Sequence, residues 1–348
     1  MTADDRQIAL AGDTDPVAIR AGATTGIGSL PHRRADRAAE FALTAYEVPA
    51  IPSLPRRSPA EGTVAQALVG IPGVTLGQYG TVAVDADRLD PDAEVETDLD
   101  DDGFVGFRTF LELAVERGHR GPVKWQFAGP ISVGAALRRA GASAEVSHSV
   151  ALEAVRSRLR VLGAAVADAL PESRQLVVLD EPVAADLMSH GFPIAPDQAI
   201  DLLSAAMAAV ESFATTGVHC CGDVDIATLL ESGPQLISVP ATSSLVSMAG
   251  YLDRFLGNGG WIAWGAIATE GPIGVTAGRT WKQLSSLWCE LVQRGCDAER
   301  LLGQCLLTPQ CGLGVHSPDV ATRICRSLSD VSRSLRSESA AAKFVLGA

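Results

Sequence analysis

An alternation of short apolar runs with longer helical stretches extends along almost the whole 348-residue chain. Each run ends in Gly, Pro or a polar residue, and an Ala- and Leu-rich stretch with a helical period follows it. The runs occupy residues 24–31, 48–55, 123–130, 176–182, 216–222, 236–242, 261–267 and 306–314. Strand and helix thus alternate eight times, which indicates a parallel sheet with right-handed crossovers. Eight repeats favour closure into a (β/α)8 barrel, the TIM barrel, over an open sheet.

The predicted α/β barrel forms one domain over residues 23–338, because no linker divides the chain. Residues 75–87 interrupt the βα rhythm with Gly and alternating Val, which predicts an added hairpin. Almost unbroken negative charge over residues 85–102 predicts a solvated acidic loop. Residues 1–22 and 339–348 are expected to be mobile termini.

Composition excludes several classes of protein. The chain is 47% hydrophobic and 20% charged, which rules out a disordered tail, and no apolar run reaches the roughly 18 residues of a membrane helix. A net charge of −13 repels a phosphate backbone, so we expect no nucleic-acid partner. The seven cysteines are irregularly spaced, and the polar N-terminus is unlike a secretory signal, so we expect free thiols and a cytoplasmic location.

Polar residues lie at the ends of several separate predicted strands. In a (β/α)8 barrel, function collects where the strands end, on the C-terminal face. The residues at these ends are Ser29, Asp180, Glu181, His219, Cys221 and Cys311. We therefore expect them to meet at one rim and to serve one chemistry.

His219 and Cys221 share one face of a strand end, because they are two residues apart. Imidazole and thiolate are natural ligands for zinc, and Cys311 at the end of the last strand offers a third. Cys220 is expected to point towards the helices. Three protein ligands leave one position open, which is typical of reactive zinc, and zinc with sulfur ligands favours alkyl transfer to a bound thiol. A buried structural His–Cys pair is the alternative.

Two adjacent carboxylates, Asp180 and Glu181, end the fourth strand, and Asp186 follows in the same loop. We predict all three as candidate catalytic acids. Because adjacent side chains rarely face the same way, one of the pair is expected to meet ligand and the other a backbone donor. A helix-capping acid with a paired neighbour is the structural alternative.

Two residues on other strands are candidates for substrate binding. Gln126 lies near the end of the third predicted strand, and Trp264 lies near the end of the seventh. An indole at that place can form the wall of a pocket, with core packing as the alternative.

These residues lie in motifs that follow one another along the chain: I-G-S-L-P (27–31), A-G-P (128–130), L-D-E-P (179–182), H-x-C-G (219–222) and P-x-C-G-L (309–313). The series resembles the catalytic barrel of cobalamin-independent methionine synthase. That family belongs to a wider superfamily with uroporphyrinogen decarboxylase and the zinc-dependent methyltransferases that act on coenzyme M. The resemblance extends in order from about residue 24 to residue 335.

The resemblance implies Zn²⁺ bound by His219, Cys221 and Cys311, and a small-molecule thiol such as homocysteine as methyl acceptor. It implies that Asp180 and the I-G-S segment (Ile27, Gly28 and Ser29) bind the amino acid substrate. The implied methyl donor is a methylated folate or a methyl-corrinoid, the latter supplied by a corrinoid protein as partner.

The chain departs from the family pattern at several places. The glutamate that serves the family as a further zinc ligand is absent, and Pro240 and Ala241 stand there. The family's H-G-E-P and D-I-H-S segments have no counterpart either. Two alternatives therefore stay open: a tetrapyrrole decarboxylase using Arg33, Arg34, Arg56 and Arg57, and a non-catalytic barrel that binds a corrinoid or a metal.

Overall fold

The computed structural model describes residues 19–78, 80–271 and 276–346, with side chains of the last helix described up to Glu338. Residues 1–18 of the predicted mobile N-terminus, and residues 347–348 at the other end, lie outside the described residues. The final helix continues to Leu346 and so includes most of the segment that the sequence predicts as a mobile C-terminus.

A curled parallel sheet forms the centre of the fold. The strands are β1 (Ala23–Thr24), β2 (Val74–Leu76), β3 (Val82–Val84), β4 (Val123–Ala128), β5 (Gln175–Asp180), β6 (Ala214–His219), β7 (Leu236–Pro240), β8 (Trp261–Ile267) and β9 (Cys305–Pro309). In the described residues seven of them pair in the order β1-β9-β8-β7-β6-β5-β4, and each pairing is parallel. The α/β class predicted from the alternation is therefore confirmed.

The run predicted as the second strand forms only isolated bridges. Val48 pairs with Thr25 beside β1, and Ala50 pairs with Lys124 on β4, so this run lies between the two edges of the sheet. Pro49 and Pro52 have no N–H to donate, and proline within a strand interrupts its ladder. The regular sheet of the described residues consequently has seven strands and not the predicted eight.

Helices cover the outside of the sheet, as the βα alternation predicts. They are α1 (Ala35–Ala45), α2 (Thr63–Leu68), α3 (Val105–Glu116), α4 (Pro130–Arg139), α5 (Ala144–Ala169), α6 (Pro196–Met207), α7 (Ile226–Glu231), α8 (Ala249–Gly257), α9 (Ala277–Gln293), α10 (Ala298–Gly303) and α11 (Pro318–Leu346). None of the helices in the described part of the chain is both long and apolar enough to span a membrane.

The predicted hairpin is present, because β2 and β3 pair antiparallel outside the main sheet. The acidic segment that follows is tied to the body of the fold by α5. The fully buried guanidinium of Arg158 donates to the carbonyl of Glu96 at 2.8 Å and to the carbonyl of Val69, and Ser157 donates to the carbonyl of Val95 at 2.7 Å. Side chains of α5 thereby fix the path of the acidic loop.

Successive strand residues point to opposite faces of the sheet, which divides the core into two layers. The larger layer packs between sheet and helices. The smaller layer fills the concave side of the sheet and consists of Ile19, Ala23, Val48, Leu176, Val178, Leu236, Trp261, Ala263 and Leu306. At the carboxyl ends of the strands this apolar filling gives way to polar side chains.

Candidate active site

A thiol–imidazole set, His219, Cys221 and Cys311, forms where β6 and β9 end. The thiol of Cys311 shares a hydrogen bond with Cys221, and this contact, together with the neighbouring imidazole of His219, lowers the pKa of Cys221 to about 4. The same contact raises the pKa of Cys311 far above its ordinary range. Cys220 is fully buried in the layer beneath the helices, as the two-residue strand period predicts. The two thiols are therefore in contact where β6 and β9 end, and their pKa values are shifted in opposite directions.

The ring of His219 is oriented by β7. Its Nδ1 lies 3.0 Å from both the carbonyl oxygen and Oγ of Ser238. A carbonyl only accepts, so Nδ1 carries the proton and Nε2 carries the lone pair. Nε2 is buried without a partner in the described part of the structure. Metal-ligating histidines have this arrangement, with the far N–H donated to a carbonyl.

The chemistry of these donors fits zinc, because two thiols and an imidazole lone pair are its preferred ligands. Their arrangement is not that of a metal shell. Among the residues that the structure describes, no group of three or more His, Cys, Asp or Glu side chains is placed so that it could hold a metal ion. The predicted ligands are thus neighbours, and zinc binding stays a prediction.

Asp180 ends β5 next to His219, since the strand register pairs the two residues. The residue is 8% exposed, and its Oδ1 lacks a hydrogen-bond partner within the described residues. Burial raises the pKa of Asp180 to about 6, against the opposing influence of His219 and Lys124. A buried carboxylate oxygen without a donor is costly. Asp180 is therefore the acid best placed to accept a hydrogen bond from a ligand.

A buried lysine links this acid to the first strand. Lys124 on β4 is 1% exposed, and its Nζ donates to the carbonyl of Ile27 at 2.9 Å and to Oε1 of Gln126. Burial lowers the pKa of Lys124 to about 8, although nearby Asp180 favours the charged form. One ammonium group thus organises three of the predicted site residues.

Gly28 lets the backbone of the I-G-S segment approach Gln126. Its φ is +144°, and a Cβ at this position would lie 1.8 Å from Nε2 of Gln126. The next residue, Ser29, accepts the N–H of Gly314 at its Oγ, at 3.3 Å. The I-G-S segment therefore lies against the loop that carries Cys311, as the predicted convergence at one rim requires.

Glu181 faces away from the thiol–imidazole set and serves α4. Its carboxylate accepts the N–H of Ile131 at 2.9 Å, the N–H of Ser132 at 2.7 Å and the hydroxyl of Ser132 at 2.6 Å. The first N–H groups of a helix have no acceptor within the helix, so this carboxylate satisfies them. Glu181 therefore caps the first turn of α4, which is the structural alternative, and the prediction of Glu181 as a catalytic residue is corrected.

Trp264 lies on the outer face of β8. It is fully buried, and its ring packs edge-on against Trp288 of α9 with the ring centroids 5.8 Å apart. Trp261 lies an odd number of residues away and fills the concave side instead. The prediction of Trp264 as a substrate-binding residue is therefore wrong, because strand alternation directs its side chain towards the helices.

Asp186 is exposed at the end of a short 3-10 turn, Pro182–Asp186. The turn packs against the loop after β6, since a Cβ on Gly222 would lie 2.5 Å from Cβ of Ala185. Asp186 thus stands on a segment next to the thiol–imidazole set, and its catalytic role stays a prediction.

Most of the arginines needed by the decarboxylase alternative have protein partners. Arg34 and Arg57 form ion pairs with neighbouring carboxylates, and Arg56 donates to the carbonyl of Val315 at 2.6 Å. Groups held in this way are poorly available to bind the acidic side chains of a tetrapyrrole.

Sequence reasoning missed two residues of the site, Lys124 as an organiser and Ser238 as the partner of His219. Both had a usable signal. Lys124 is a charge in an otherwise apolar strand, and Ser238 is the polar residue of the strand that follows the His–Cys pair. Only the strand register, which pairs His219 with Ser238, reveals the second contact.

No family model and no curated protein matches the chain. Solved structures do match. The structure of a B12-independent methionine synthase from Shewanella sp. W3-18-1, in complex with selenomethionine, is 14% identical, with 91% of this chain and 98% of that chain covered at a TM-score of 0.61. The chain has a B12-independent methionine synthase fold.

A second methionine synthase structure supports the same fold. It is the putative vitamin-B12-independent methionine synthase from Listeria monocytogenes, 15% identical, with 89% of this chain and 96% of that chain covered at a TM-score of 0.52. At this identity the likeness to the methionine synthases establishes the fold. The resemblance predicted from the motifs is thereby confirmed at that level.

Proposed function

We propose that the protein is a zinc-dependent methyltransferase that transfers a methyl group to the thiol of homocysteine or a related amino acid. The observation that carries the proposal is the thiol–imidazole set, in which Nε2 of His219 has no hydrogen-bond partner among the described residues and the thiols of Cys221 and Cys311 are in contact. The methionine synthase fold and the selenomethionine held by the Shewanella protein support the same substrate class.

Nε2 of His219 and the sulfurs of Cys221 and Cys311 would hold the zinc ion. When bound, zinc would supply the positive charge that keeps a substrate thiol deprotonated at neutral pH. Ser238 holds the imidazole in the tautomer that leaves Nε2 free. Thiols bind zinc as thiolates, so zinc binding here would release thiol protons and would be favoured as pH rises.

Asp180 would bind the ammonium group of the amino acid substrate. Its Oδ1 is buried and needs a donor, and an ammonium group supplies one with the charge that a carboxylate prefers. Lys124 holds the Ile27 carbonyl on the other side, which keeps the I-G-S segment in place next to this acid. Substrate binding and backbone positioning would then depend on one buried network.

The transfer itself is a displacement at carbon. The substrate thiolate supplies the electron pair of the new S–C bond, and the bond from methyl carbon to its carrier breaks with its electron pair leaving on the carrier. A methylated folate or a methyl-corrinoid protein would be the donor, and the departing carrier takes up a proton where its chemistry requires one. Asp186, on the exposed turn near the thiol–imidazole set, is our candidate for that proton donor.

We also infer that residues 48–53 act as an eighth strand, so that the sheet closes into a (β/α)8 barrel. The support is that the N–H of Val48 bonds to Thr24 and the N–H of Ile51 to Lys124, which lie on opposite edges of the sheet. Closure would place the carboxyl ends of all strands around one opening.

Metal analysis tests the ligand set. The purified protein should contain about one zinc per chain, and Cys221→Ser or Cys311→Ser should each remove most of it. Cys289→Ser is the matched control, because Cys289 is an exposed thiol on α9. An unchanged zinc content in both site variants would overturn the assignment.

A methyl-transfer assay tests the activity. The protein is incubated with homocysteine and either methyltetrahydrofolate or methylcobalamin, and methionine is measured. Turnover with either donor supports the proposal and excludes the non-catalytic alternative. Absence of methionine with both donors, together with decarboxylation of uroporphyrinogen, would establish the alternative reaction instead.

A further inference from the structure

A cavity lies between α9 and α11, and it is not lined by the thiol–imidazole set. Its volume is about 1060 Å³, which is the size of a site for a small organic ligand. The floor is formed at the ends of β8 and β9 by residues such as Ile267 and Gln310. Gln310 directly precedes Cys311, so the cavity borders the candidate active site on one side.

Four cationic side chains line this cavity. Arg279 and Lys282 come from α9, and Arg323 and Arg326 come from α11. The two members of each pair are three residues apart, which places them on one face of their helix. In the described part of the chain none of the four side chains forms an ion pair or a hydrogen bond. Two helices thus present unpaired cations to one space.

The negative charge of the cavity is smaller and partly neutralised. Glu290 and Asp330 also line it, but Asp330 forms an ion pair with Arg333. The chain as a whole carries a net charge of −13. The cavity is therefore positively charged although the chain as a whole is negatively charged. The four cations repel one another, which favours binding of an anion between them.

The start of α9 adds to the positive potential. Thr276 and Ala277, at the N-terminal end of this 17-residue helix, line the same cavity. The N-terminus of a helix carries partial positive charge and favours anionic groups. In (β/α)8 enzymes the loops after the last two strands are a frequent place for a phosphate group, and β8 and β9 are the last two strands of this sheet.

We infer that the cavity between α9 and α11 binds a small polyanion with two or more carboxylate or phosphate groups. Three arginines and a lysine on two neighbouring helices suit such a ligand better than a single anion, because each guanidinium binds carboxylate or phosphate oxygens with two parallel N–H groups. This ligand would bind at the cavity whether or not the protein carries out the proposed methyl transfer.

Calorimetric titration with two probes tests it, tripolyphosphate for phosphates and citrate for carboxylates. We expect saturable binding of at least one probe, weakened several-fold between 50 and 200 mM salt because the contacts are ionic. Tighter binding of tripolyphosphate identifies a phosphate ligand, and tighter binding of citrate identifies a carboxylate ligand. No binding of either probe at millimolar concentration and low salt would overturn the inference.

Paired variants locate the site. Arg323→Gln with Arg326→Gln should weaken probe binding at least tenfold. The matched control is Arg160→Gln with Arg294→Gln, which removes the same charge from exposed positions that do not line the cavity. Equal weakening by both pairs would mean that net charge alone attracts the probe and would refute the site. Both pairs leave the thiols intact, so chelation at the thiol–imidazole set does not affect the comparison.

Discussion

Replacing Gly28 with alanine should disturb the candidate active site through one identifiable contact. The new methyl group would lie 1.8 Å from Nε2 and 2.3 Å from Cδ of Gln126, far inside van der Waals contact. Gln126 must therefore move, and it then loses the hydrogen bond that it accepts from buried Lys124. The variant combines a backbone cost with a lost polar contact.

Each of the two contributions, the backbone cost and the lost hydrogen bond, has a typical magnitude. A positive φ costs a non-glycine residue about 1–3 kcal/mol, and a hydrogen bond to a charged group contributes about 1.5–3 kcal/mol. Gly28→Ala should then lower the free energy of unfolding by about 2.5–6 kcal/mol. Gly141 isolates the first contribution, because its φ is +109° and nothing lies within 4 Å of a Cβ built there. Gly141→Ala should cost only about 1–3 kcal/mol.

Urea unfolding of four chains separates the two contributions: the natural sequence, Gly28→Ala, Gln126→Ala and the double variant. In the Gln126→Ala background the clash is absent and the bond to Lys124 is already lost. Gly28→Ala should therefore cost no more there than the alanine at Gly141, a coupling of about 1.5–3 kcal/mol. An equal cost of Gly28→Ala with and without the glutamine side chain would refute the reasoning.

Three further outcomes follow from the structure. Ser238→Ala should weaken affinity at the proposed zinc site by less than about tenfold, because Oγ is lost but the main-chain carbonyl that accepts the Nδ1 proton of His219 remains. Chelator competition measures the affinity, and a loss of about a hundredfold would contradict the assignment of the carbonyl as the partner that orients the ring. Burial raises the pKa of Glu61 from 4.5 to about 7, so the stability contributed by Glu61 is complete below pH 4.5 and falls by on the order of 3 kcal/mol as the pH rises to 7. Glu61→Gln should flatten this part of the pH dependence of urea midpoints, and an identical curve for the variant would count against it. Trp264→Ala should destabilise the fold by about 3–5 kcal/mol, because its ring packs on Trp288 on the outer face of the sheet. The same variant should leave KM for the thiol within about twofold. A large rise in KM without loss of stability would show that Trp264 does bind substrate.

Strand periodicity predicted the parts of the site that lie along a single strand. It placed His219 and Cys221 on one face and Cys220 on the other, and the structure has that arrangement. The same rule, applied from Trp261, would have put Trp264 on the outer face, so that error was avoidable. The side chains of Asp180 and Glu181 likewise point in different directions, as expected for neighbouring residues at a strand end.

The contacts between distant segments could not be read from the sequence. The bonds from Lys124 to Ile27 and from His219 to Ser238 depend on which strands become neighbours and in what register. Predicting eight regular strands failed at residues 48–53, where prolines remove the N–H groups that a ladder needs. The apolar residues of this segment indicate a strand. Its prolines have no N–H to donate, so the segment forms only isolated bridges.

Because β1 pairs with β9, the sheet can be completed only late in the synthesis of the chain. Ser332 on the last helix donates to the carbonyl of Gly22, and these residues are 310 positions apart. During synthesis the first strand must therefore wait, unpaired on that side, until nearly the entire polypeptide has left the ribosome. A chain that is terminated before β9 would leave this strand edge exposed to other molecules, which makes early termination a route to aggregation.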